Sequence, residues 1–174
     1  RFRSAENIVE EIRKLKKDYG ISFVVFFDEL FMISEKRVTE LTEAFIKANL
    51  NIRYFCTGRL NIVNANMLNL LKRSGCACID YGIEQFDNDA LAAMKKHLTE
   101  EDIVRGIELT QAKGFPIIFD IIFGNIGDTR KSLRKTLDLF KKYNDYGQFR
   151  TIRPVTPYPG SQLYDYAVAK GLLK

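Results

Sequence analysis

The regular alternation of strand-like and helix-like segments is the feature that most constrains the fold of this chain of 174 residues. Short apolar runs with strand character recur five times, and segments with helical spacing of apolar residues separate them. We predict strands over residues 21–27, 51–56, 77–83, 117–123 and 148–155. A repeat of strand and helix predicts an α/β fold with a parallel sheet and right-handed crossovers. The sheet is expected either as a partial barrel or as an open sheet with helices on both faces.

Residues at the helix ends support these boundaries. Ser4 is predicted to cap a helix over 4–19, and Gly20 is predicted to end it. Residues 99–102, Thr-Glu-Glu-Asp, have the pattern of a capping box. Asp128 is predicted to cap the helix after the fourth strand. The first strand is a continuous apolar run, so we expect it to be buried on both faces.

Composition excludes several classes of protein. The chain is 46% hydrophobic and 28% charged, as in ordinary globular domains, and is neither disordered nor membranous. No signal-peptide pattern and no apolar run near the roughly 20 residues of a membrane helix are seen, so we expect a cytoplasmic protein. The net charge of +5 comes from Lys and Arg spread over many segments, which favours solvated helix surfaces over a nucleic-acid patch.

The three cysteines, Cys56, Cys76 and Cys78, have a spacing that fits no metal site. An odd number of cysteines without a secretion signal favours a reducing compartment. We interpret all three as buried structural thiols and expect Cys76 and Cys78 to lie on one face of their strand, because they are two residues apart.

Polar residues follow the first two predicted strands at the edge where ligands bind in parallel α/β folds. Asp28 and Glu29 come after the first strand and suit a ligand amine, although capping or solvation of the loop is an alternative. Thr57 and Arg59 come after the second strand, with Gly58 between them to let backbone approach a ligand. The guanidinium of Arg59 suits a carboxylate, either of a ligand or of Asp28 or Glu29.

The third and fifth strands also end in residues that suit a ligand. Glu84 lies where its carboxylate can accept hydrogen bonds from two vicinal hydroxyls, as on a ribose. Pro157 and Tyr158 lie in a rigid loop after the fifth strand, where the tyrosine either stacks on a flat ring or covers the core.

A glycine-containing loop follows the fourth strand. Gly124, Asn125 and Gly127 stand between that strand and a helix N-terminus, so main-chain groups can approach a ligand there. The spacing matches neither a Walker loop nor a dinucleotide fingerprint, which argues against a nucleotide triphosphate.

In their order, these strand ends resemble the radical S-adenosylmethionine (radical SAM) superfamily over essentially the whole chain. The segments that carry the resemblance are FFDE at 26–29, CTGR at 56–59, YGIE at 81–84, IFGNIGDT at 122–129 and TPYPGSQLY at 156–164. The resemblance is greatest to the branch whose members usually carry an N-terminal cobalamin-binding domain, including the anaerobic magnesium-protoporphyrin monomethyl ester cyclases. The opening segment RFRSAEN resembles the part of that branch just after its cluster loop.

The resemblance implies a parallel partial (β/α)6 barrel of the TIM type, here without its first strand and cluster loop. The family's Cys-x3-Cys-x2-Cys motif is absent, so residues 1–174 are expected to be one truncated domain that cannot hold a [4Fe–4S] cluster and is inactive alone. A second departure is Gly-Asn-Ile-Gly at 124–127, where the family usually has Gly-Leu-Pro-Gly.

The resemblance also implies a role for each strand end. Asp28 and Glu29 would hold the methionine amino group of S-adenosylmethionine, and Arg59 would lie near its carboxylate. Glu84 matches the ribose-binding position. The loop after the fourth strand would lie by the adenine or the methionine backbone, and the loop after the fifth would close the barrel near the site.

The function implied is a core that binds S-adenosylmethionine for 5′-deoxyadenosyl radical chemistry, in an oxidative cyclase or methyltransferase acting on a tetrapyrrole or similar metabolite. An N-terminal cobalamin-binding domain is expected in the parent chain. A radical SAM tRNA methylthiotransferase is an alternative that the basic charge favours slightly. An alternative of another class is a non-catalytic α/β module that binds a small anion. We also predict self-association through the exposed edge of the first strand.

Overall fold

The computed structural model describes residues 2–28, 30–143 and 150–173. Five strands alternate with seven helices over these residues. The strands are β1 Phe23–Val25, β2 Arg53–Gly58, β3 Cys76–Glu84, β4 Ile117–Phe123 and β5 Arg150–Pro154. The helices are α1 Ala5–Tyr19, α2 Glu35–Lys47, α3 Ala65–Ser74, α4 Asn88–Ala93, α5 Glu100–Ala112, α6 Arg130–Tyr143 and α7 Gln162–Ala169. None of the helices described has the length and apolar character needed to cross a membrane.

The five strands form one sheet in the order β1-β2-β3-β4-β5, and every neighbouring pair is parallel. Because spatial order follows chain order, all crossovers run the same way and the helices cover one face of the sheet. The sheet curls into a half-barrel. The predicted parallel α/β barrel is therefore confirmed, and the alternative of an open sheet covered on both faces is wrong.

The hydrophobic core lies between the convex face of the sheet and the helices. Strand residues alternate in burial, so every second side chain enters this layer. Among the fully buried side chains are Phe45, Tyr54, Leu68, Leu71, Ile79, Tyr81, Ile83, Phe86, Ile107, Ile117 and Phe119. An aromatic group of Phe26, Phe31, Phe45 and Tyr54, with ring centroids 4.9–5.9 Å apart, closes the core at the β1 end.

The concave face of the sheet is partly polar. Thr57 on β2 pairs with Asp80 on β3, and both are half-buried. Asp120 on β4 accepts a hydrogen bond from Thr151 on β5 and forms an ion pair of 3.7 Å with Arg153. Because these side chains come from alternate positions of the strands, they line the inside of the half-barrel, where no helix covers them.

The first strand differs from its prediction. Only Phe23–Val25 pair with β2, although an apolar strand over 21–27 was expected. Phe23 is 47% exposed and Val25 is 43% exposed, whereas Val24 packs against the core. The prediction of a strand buried on both faces is wrong, because β1 is an edge strand whose concave side is uncovered. The first two residues of the fifth predicted strand, 148 and 149, lie outside the described residues.

Local sequence signals at the helix ends are mostly confirmed. The Ser4 side chain accepts from the Asn7 amide, and Gly20 ends α1 in a left-handed conformation with φ of 67°. The capping box at Thr99 is present. The prediction that Asp128 caps α6 is wrong, because the reciprocal side-chain-to-amide bonds join Thr129 and Ser132 instead.

The cysteines follow the prediction only in part. Cys56 and Cys76 are buried, with 3.8 Å between their sulfur atoms, and Cys78 is half-buried. Cys76 and Cys78 were expected on one face, but they lie on opposite faces of β3. The register against β2 shifts between Tyr54 and Phe55, so Cys76 pairs with the first and Cys78 with the second. This β-bulge inserts one extra residue and reverses the alternation.

Candidate functional site

Glu84 ends β3 in a strained backbone conformation. Its φ is 64°, in the left-handed region that non-glycine residues rarely adopt. The Gln85 amide donates to the Ile83 carbonyl at 2.8 Å, so Glu84 is the central residue of a tight three-residue turn. The register against β4 also shifts between Gly82 and Glu84. Strain of this kind is typical of functional sites.

The Glu84 carboxylate is only half satisfied. Its Oε1 accepts from Lys96 Nζ at 2.9 Å. Its Oε2 is buried and has no hydrogen-bond partner among the described residues. The side chain is 15% exposed, so solvent gives little compensation. A buried acceptor without a donor is unfavourable by about 1–3 kcal/mol, and a ligand that brings hydroxyl or amine donors would remove that cost.

A cavity of about 290 Å³ adjoins this carboxylate. Its walls are Leu30, Gly58, Arg59, Leu60, Gly82, Lys96 and Leu98. Two of these, Arg59 and Lys96, are cations, and Arg59 is exposed. No ion pair joins Arg59 to Asp28 within the described part of the chain. The predicted pairing of Arg59 with Asp28 is therefore absent, and the alternative pairing with Glu29 lies outside the described residues. A planar guanidinium at this cavity suits a carboxylate.

The last two residues of β2 shape the cavity in a way that the sequence did not indicate. A Cβ atom at Gly58 would lie 2.6 Å from the Met32 sulfur and 2.9 Å from the Tyr81 ring. Glycine is therefore needed there for packing, not for the approach of a ligand. The Thr57 hydroxyl donates to the Asp28 carbonyl at 2.8 Å and accepts from the Phe31 amide at 3.1 Å. Thr57 thus holds the loop after β1 against the end of β2.

The Asp28 side chain is exposed and belongs to a different cavity. That cavity has a volume of about 500 Å³, is mostly apolar, and lies between α1, β1 and α2. Leu30 borders both cavities. Glu29, the other carboxylate predicted at this strand end, lies outside the described residues. The structure therefore does not bring Asp28 into the cavity that Arg59 lines.

The loop after β4 is closed by a side chain. The Oδ2 atom of Asp128 accepts from the amides of Gly124 at 2.6 Å and Asn125 at 3.0 Å, and its Oδ1 accepts from Gln85 Nε2 at 2.9 Å. Gly127, with φ of 92°, packs so closely on α4 that a Cβ would lie 2.7 Å from a side-chain carbon there. The two amides predicted to face a ligand are occupied by Asp128 in this structure, which also ties the loop to the end of β3.

The loop after β5 projects from the same edge. Tyr158 is 71% exposed, so the alternative in which it covers the core is wrong. Pro157 is half-buried. The Ser161 hydroxyl donates to the Tyr158 carbonyl at 2.7 Å and caps α7. Lys95 Nζ donates to Gln162 Oε1 at 2.9 Å, which links the end of α4 to the start of α7.

Sequence reasoning missed two features of this edge. Lys96 lies in a run of basic residues that suggested a solvated surface. Asp80 lies inside β3, and a charged residue in an otherwise apolar strand was the signal that could have found it. The pKa of Asp80 is raised to about 6, mainly by burial and then by the carboxylates of Asp120 and Glu84, while Arg153 opposes the shift.

Fold and strand ends together define a class of protein. A parallel half-barrel with a cavity, a half-satisfied carboxylate and two cations at the carboxyl ends of its strands is the ligand-binding scaffold of barrel-type α/β enzymes. The chain belongs to the Radical SAM superfamily, whose family model matches residues 1–140. The resemblance inferred from the ordered strand ends is therefore confirmed.

Relatives in sequence extend over nearly the whole chain. An uncharacterized methyltransferase of Pyrococcus horikoshii is 30% identical over 174 residues, which are 99% of this chain and 37% of that protein. The anaerobic magnesium-protoporphyrin IX monomethyl ester cyclase of Rubrivivax gelatinosus is 25% identical over 94% of this chain and 30% of its own length. The chain thus spans about a third of the length of these curated relatives.

A solved structure has the same fold. The radical S-adenosylmethionine methyltransferase TsrM from Kitasatospora setae, solved with cobalamin and a [4Fe–4S] cluster bound, superposes with a TM-score of 0.75. The superposition covers 86% of this chain and 29% of that one, at 19% identity. The likeness shows that the five-stranded half-barrel is the radical SAM fold.

The superfamily implies S-adenosylmethionine and a [4Fe–4S] cluster, and the residues of this chain fit the first only. A cluster needs converging cysteine thiolates. Cys56 and Cys76 are buried between sheet and helices, Cys78 lies on the opposite face, and burial raises the pKa of the Cys78 thiol. These three cysteines do not fit a cluster. S-adenosylmethionine does fit, because its hydroxyls suit the free oxygen of Glu84 and its carboxylate suits Arg59.

Proposed function

We propose that the carboxyl edge of this half-barrel binds S-adenosylmethionine, and that the full-length protein is a radical SAM enzyme that transfers a methyl group to, or oxidatively cyclises, a small molecule such as a tetrapyrrole. One observation carries the proposal. Glu84 has a buried oxygen without a partner among the described residues, and its ion-pair partner Lys96 lines a cavity together with Arg59. A ligand with vicinal hydroxyls at one end and a carboxylate at the other satisfies both groups.

Each strand end has a proposed part in binding. Glu84 accepts hydrogen bonds from the ribose hydroxyls, and Arg59 binds the methionine carboxylate with its planar fork of donors. Asp28 and Glu29 lie at the strand end proposed to hold the methionine amino group. The Asp28 side chain lines the neighbouring cavity, so this part of the proposal rests on the strand-end resemblance alone, and Thr57 anchors the loop that carries Asp28.

The remaining two loops are proposed to hold the adenine side of the ligand. Gly124, Asn125 and Gly127 form a turn whose shape Asp128 fixes, so its backbone presents a preformed wall. Tyr158 stands exposed at the same edge, and Pro157 stiffens its loop, so the aromatic ring is available to stack on a base. S-adenosylmethionine would supply a sulfonium carbon–sulfur bond, which one electron from the superfamily's [4Fe–4S] cluster, held outside these residues, would cleave to methionine and a 5′-deoxyadenosyl radical.

Methyl transfer and cyclisation are both proposed because of the names of the relatives. A methyltransferase name and a cyclase name both occur among proteins similar over more than nine-tenths of this chain. The TsrM structure contains cobalamin. We therefore propose a cobalamin-binding domain elsewhere in the full-length protein. The concave face supports a substrate with polar groups, because Asp80, Asp120 and Arg153 line it.

The test is binding of S-adenosylmethionine to the full-length protein by isothermal titration calorimetry. In Glu84→Gln, a charged acceptor becomes a neutral amide, and we expect the affinity to fall about tenfold to a hundredfold, since hydrogen bonds to charged groups contribute about 1.5–3 kcal/mol. Glu43→Gln, at an exposed glutamate of α2, is the matched control and should bind like the wild type. Equal affinities in all three proteins would refute the ribose assignment.

A further inference from the structure

We propose that Lys96 is a positioning residue for Glu84, which holds one carboxylate oxygen so that the other faces the hydroxyls of the ligand. This inference rests on the proposed binding of S-adenosylmethionine. It concerns a residue outside the strand ends, on the turn that follows α4. The assignment depends on how the chain places Lys96, on the room left for the ion pair, and on the charge balance of the cavity.

The backbone aims Lys96 at the site. The chain leaves α4 through paired hydrogen bonds from Lys96 N to the Leu91 carbonyl at 3.1 Å and from Lys95 N to the Ala92 carbonyl at 3.0 Å. This is a Schellman motif, in which a left-handed residue usually reverses the chain. Lys95 takes that conformation, with φ of 56°, although it is not glycine. The turn therefore accepts backbone strain while it directs the next residue toward the sheet.

The sheet leaves room for the ion pair at one position. A Cβ atom at Gly82 would lie 2.9 Å from Glu84 Oε1 and 3.5 Å from Lys96 Nζ. Any other residue at this position would meet the carboxylate. Glu84 and Lys95 both have left-handed backbone conformations, and Gly82 leaves space beside the Glu84–Lys96 pair. Of these residues, Gly82 and Lys96 line the cavity.

The charge balance explains what Lys96 does. The side chains of Lys96 and Glu84 are 32% and 15% exposed, so the pair is partly desolvated. Without the ammonium, the Glu84 carboxylate would lose the ion pair that holds its Oε1 atom and would be free to turn toward solvent. That movement would take away the acceptor that the ribose hydroxyls need. With the ammonium in place, Oε1 is occupied and the position of Oε2 is fixed.

The test compares two ligands in the full-length protein by isothermal titration calorimetry. Lys96→Met removes the ammonium but keeps the apolar stem, and we expect S-adenosylmethionine to bind about tenfold more weakly. A 2′,3′-dideoxy analogue lacks the hydroxyls that would donate hydrogen bonds to Glu84, so Lys96→Met should change the affinity for this analogue little. Lys96→Arg should restore most of the affinity for S-adenosylmethionine. Lys14→Met, at an exposed lysine of α1 far from the cavity lining, is the matched control.

The outcomes separate this inference from the proposed function. If Glu84→Gln weakens binding and Lys96→Met does not, the inference on Lys96 is wrong and the ribose assignment stands. Equal weakening of both ligands by Lys96→Met also overturns it, because the lysine would then act on another part of the ligand. If Glu84→Gln has no effect, the ribose assignment fails and the inference fails with it. Lys96→Gln repeats the comparison should the methionine variant not fold.

Discussion

At the scale of single residues, the half-buried Asp80 on the concave face has a carboxyl group whose ionisation destabilises the folded state. Burial, with help from Asp120 and Glu84, raises the pKa of its carboxyl from 3.8 to about 6. The folded state therefore binds a proton more tightly than the unfolded chain does between about pH 4 and pH 6. Stability falls as the pH rises through this window, and above it the ionised carboxylate is a net destabilising charge.

We predict that Asp80→Asn stabilises the protein at pH 7 by about 1 kcal/mol, after allowance for solvent screening of a half-buried group. The asparagine cannot ionise, so the decline in stability between about pH 4 and pH 6 should flatten. Urea unfolding at a series of pH values measures both effects. Asp18→Asn, at an exposed position of α1, is the control. A loss of stability at pH 7 in Asp80→Asn would contradict the prediction.

The residues of the candidate site were only partly predictable from the sequence. Arg59 and Glu84 were found because parallel strands end at a common edge, a rule that needs no coordinates. Lys96 was not found, since its role depends on a turn that brings the end of α4 over Gly82. Asp28 was assigned to the same site from its strand end, but its side chain faces another cavity. The direction in which a side chain points depends on β-bulges and on packing between elements, and the local sequence pattern does not specify either.

At the scale of elements, the connection between β4 and α6 depends on Asp128. The Asp128 carboxylate accepts hydrogen bonds from two backbone amides and from the Gln85 side chain, so it joins the loop after β4 to the loop after β3. This is a structural role for a residue that sequence patterns assigned to a helix cap. The loop is thereby rigid before any ligand arrives, which favours binding because less conformational entropy is lost.

We predict that Asp128→Ala lowers the free energy of unfolding by about 2 kcal/mol, because it leaves donors without an acceptor. Asp128→Asn retains one oxygen acceptor and should lose less. Asp138→Ala, at an exposed position of α6, is the control. Chemical denaturation measures the differences. If the alanine variants at 128 and 138 are equally stable, Asp128 does not organise the loop.

Helix ends were predicted better than strand ends, for a physical reason. The caps at Ser4 and Thr99 are satisfied by amides within three residues, so their signals are local. The extent of β1 depends instead on its partner, and only Phe23–Val25 find one in β2. The β4 strand, which pairs on both sides, matches its predicted bounds of 117–123. β2 also pairs on both sides, yet it lies over Arg53–Gly58 and not over the predicted 51–56, so its bounds depend on partners that its own residues do not specify.

At the scale of the whole molecule, the sheet has one strongly apolar edge. Phe23, Val25 and Phe27 are exposed beside β1, and Phe27 is 92% exposed. An apolar edge strand with free backbone groups pairs readily with another chain. We therefore keep self-association through β1 as a prediction for residues 1–174 on their own.

We predict that this polypeptide forms dimers or larger species at high concentration, and that Val25→Lys reduces them, because a charge on an edge strand opposes pairing. Val168→Lys, at an exposed valine of α7, is the control. Sedimentation equilibrium over a range of concentrations gives the masses. A monomer at every concentration in the unsubstituted chain would show that the edge is harmless.

The order of the strands has a consequence for how the protein is made. Each strand pairs with the strand next to it in the chain, so each pairing closes one helix and its loops, or two helices between β3 and β4. Short connections lose little entropy on closure. Because synthesis proceeds from the N-terminus, every strand that leaves the ribosome meets the edge formed just before it, and no later strand inserts between two already paired. The topology therefore allows the half-barrel to assemble in chain order from β1 to β5, with each added strand presenting an edge for the next.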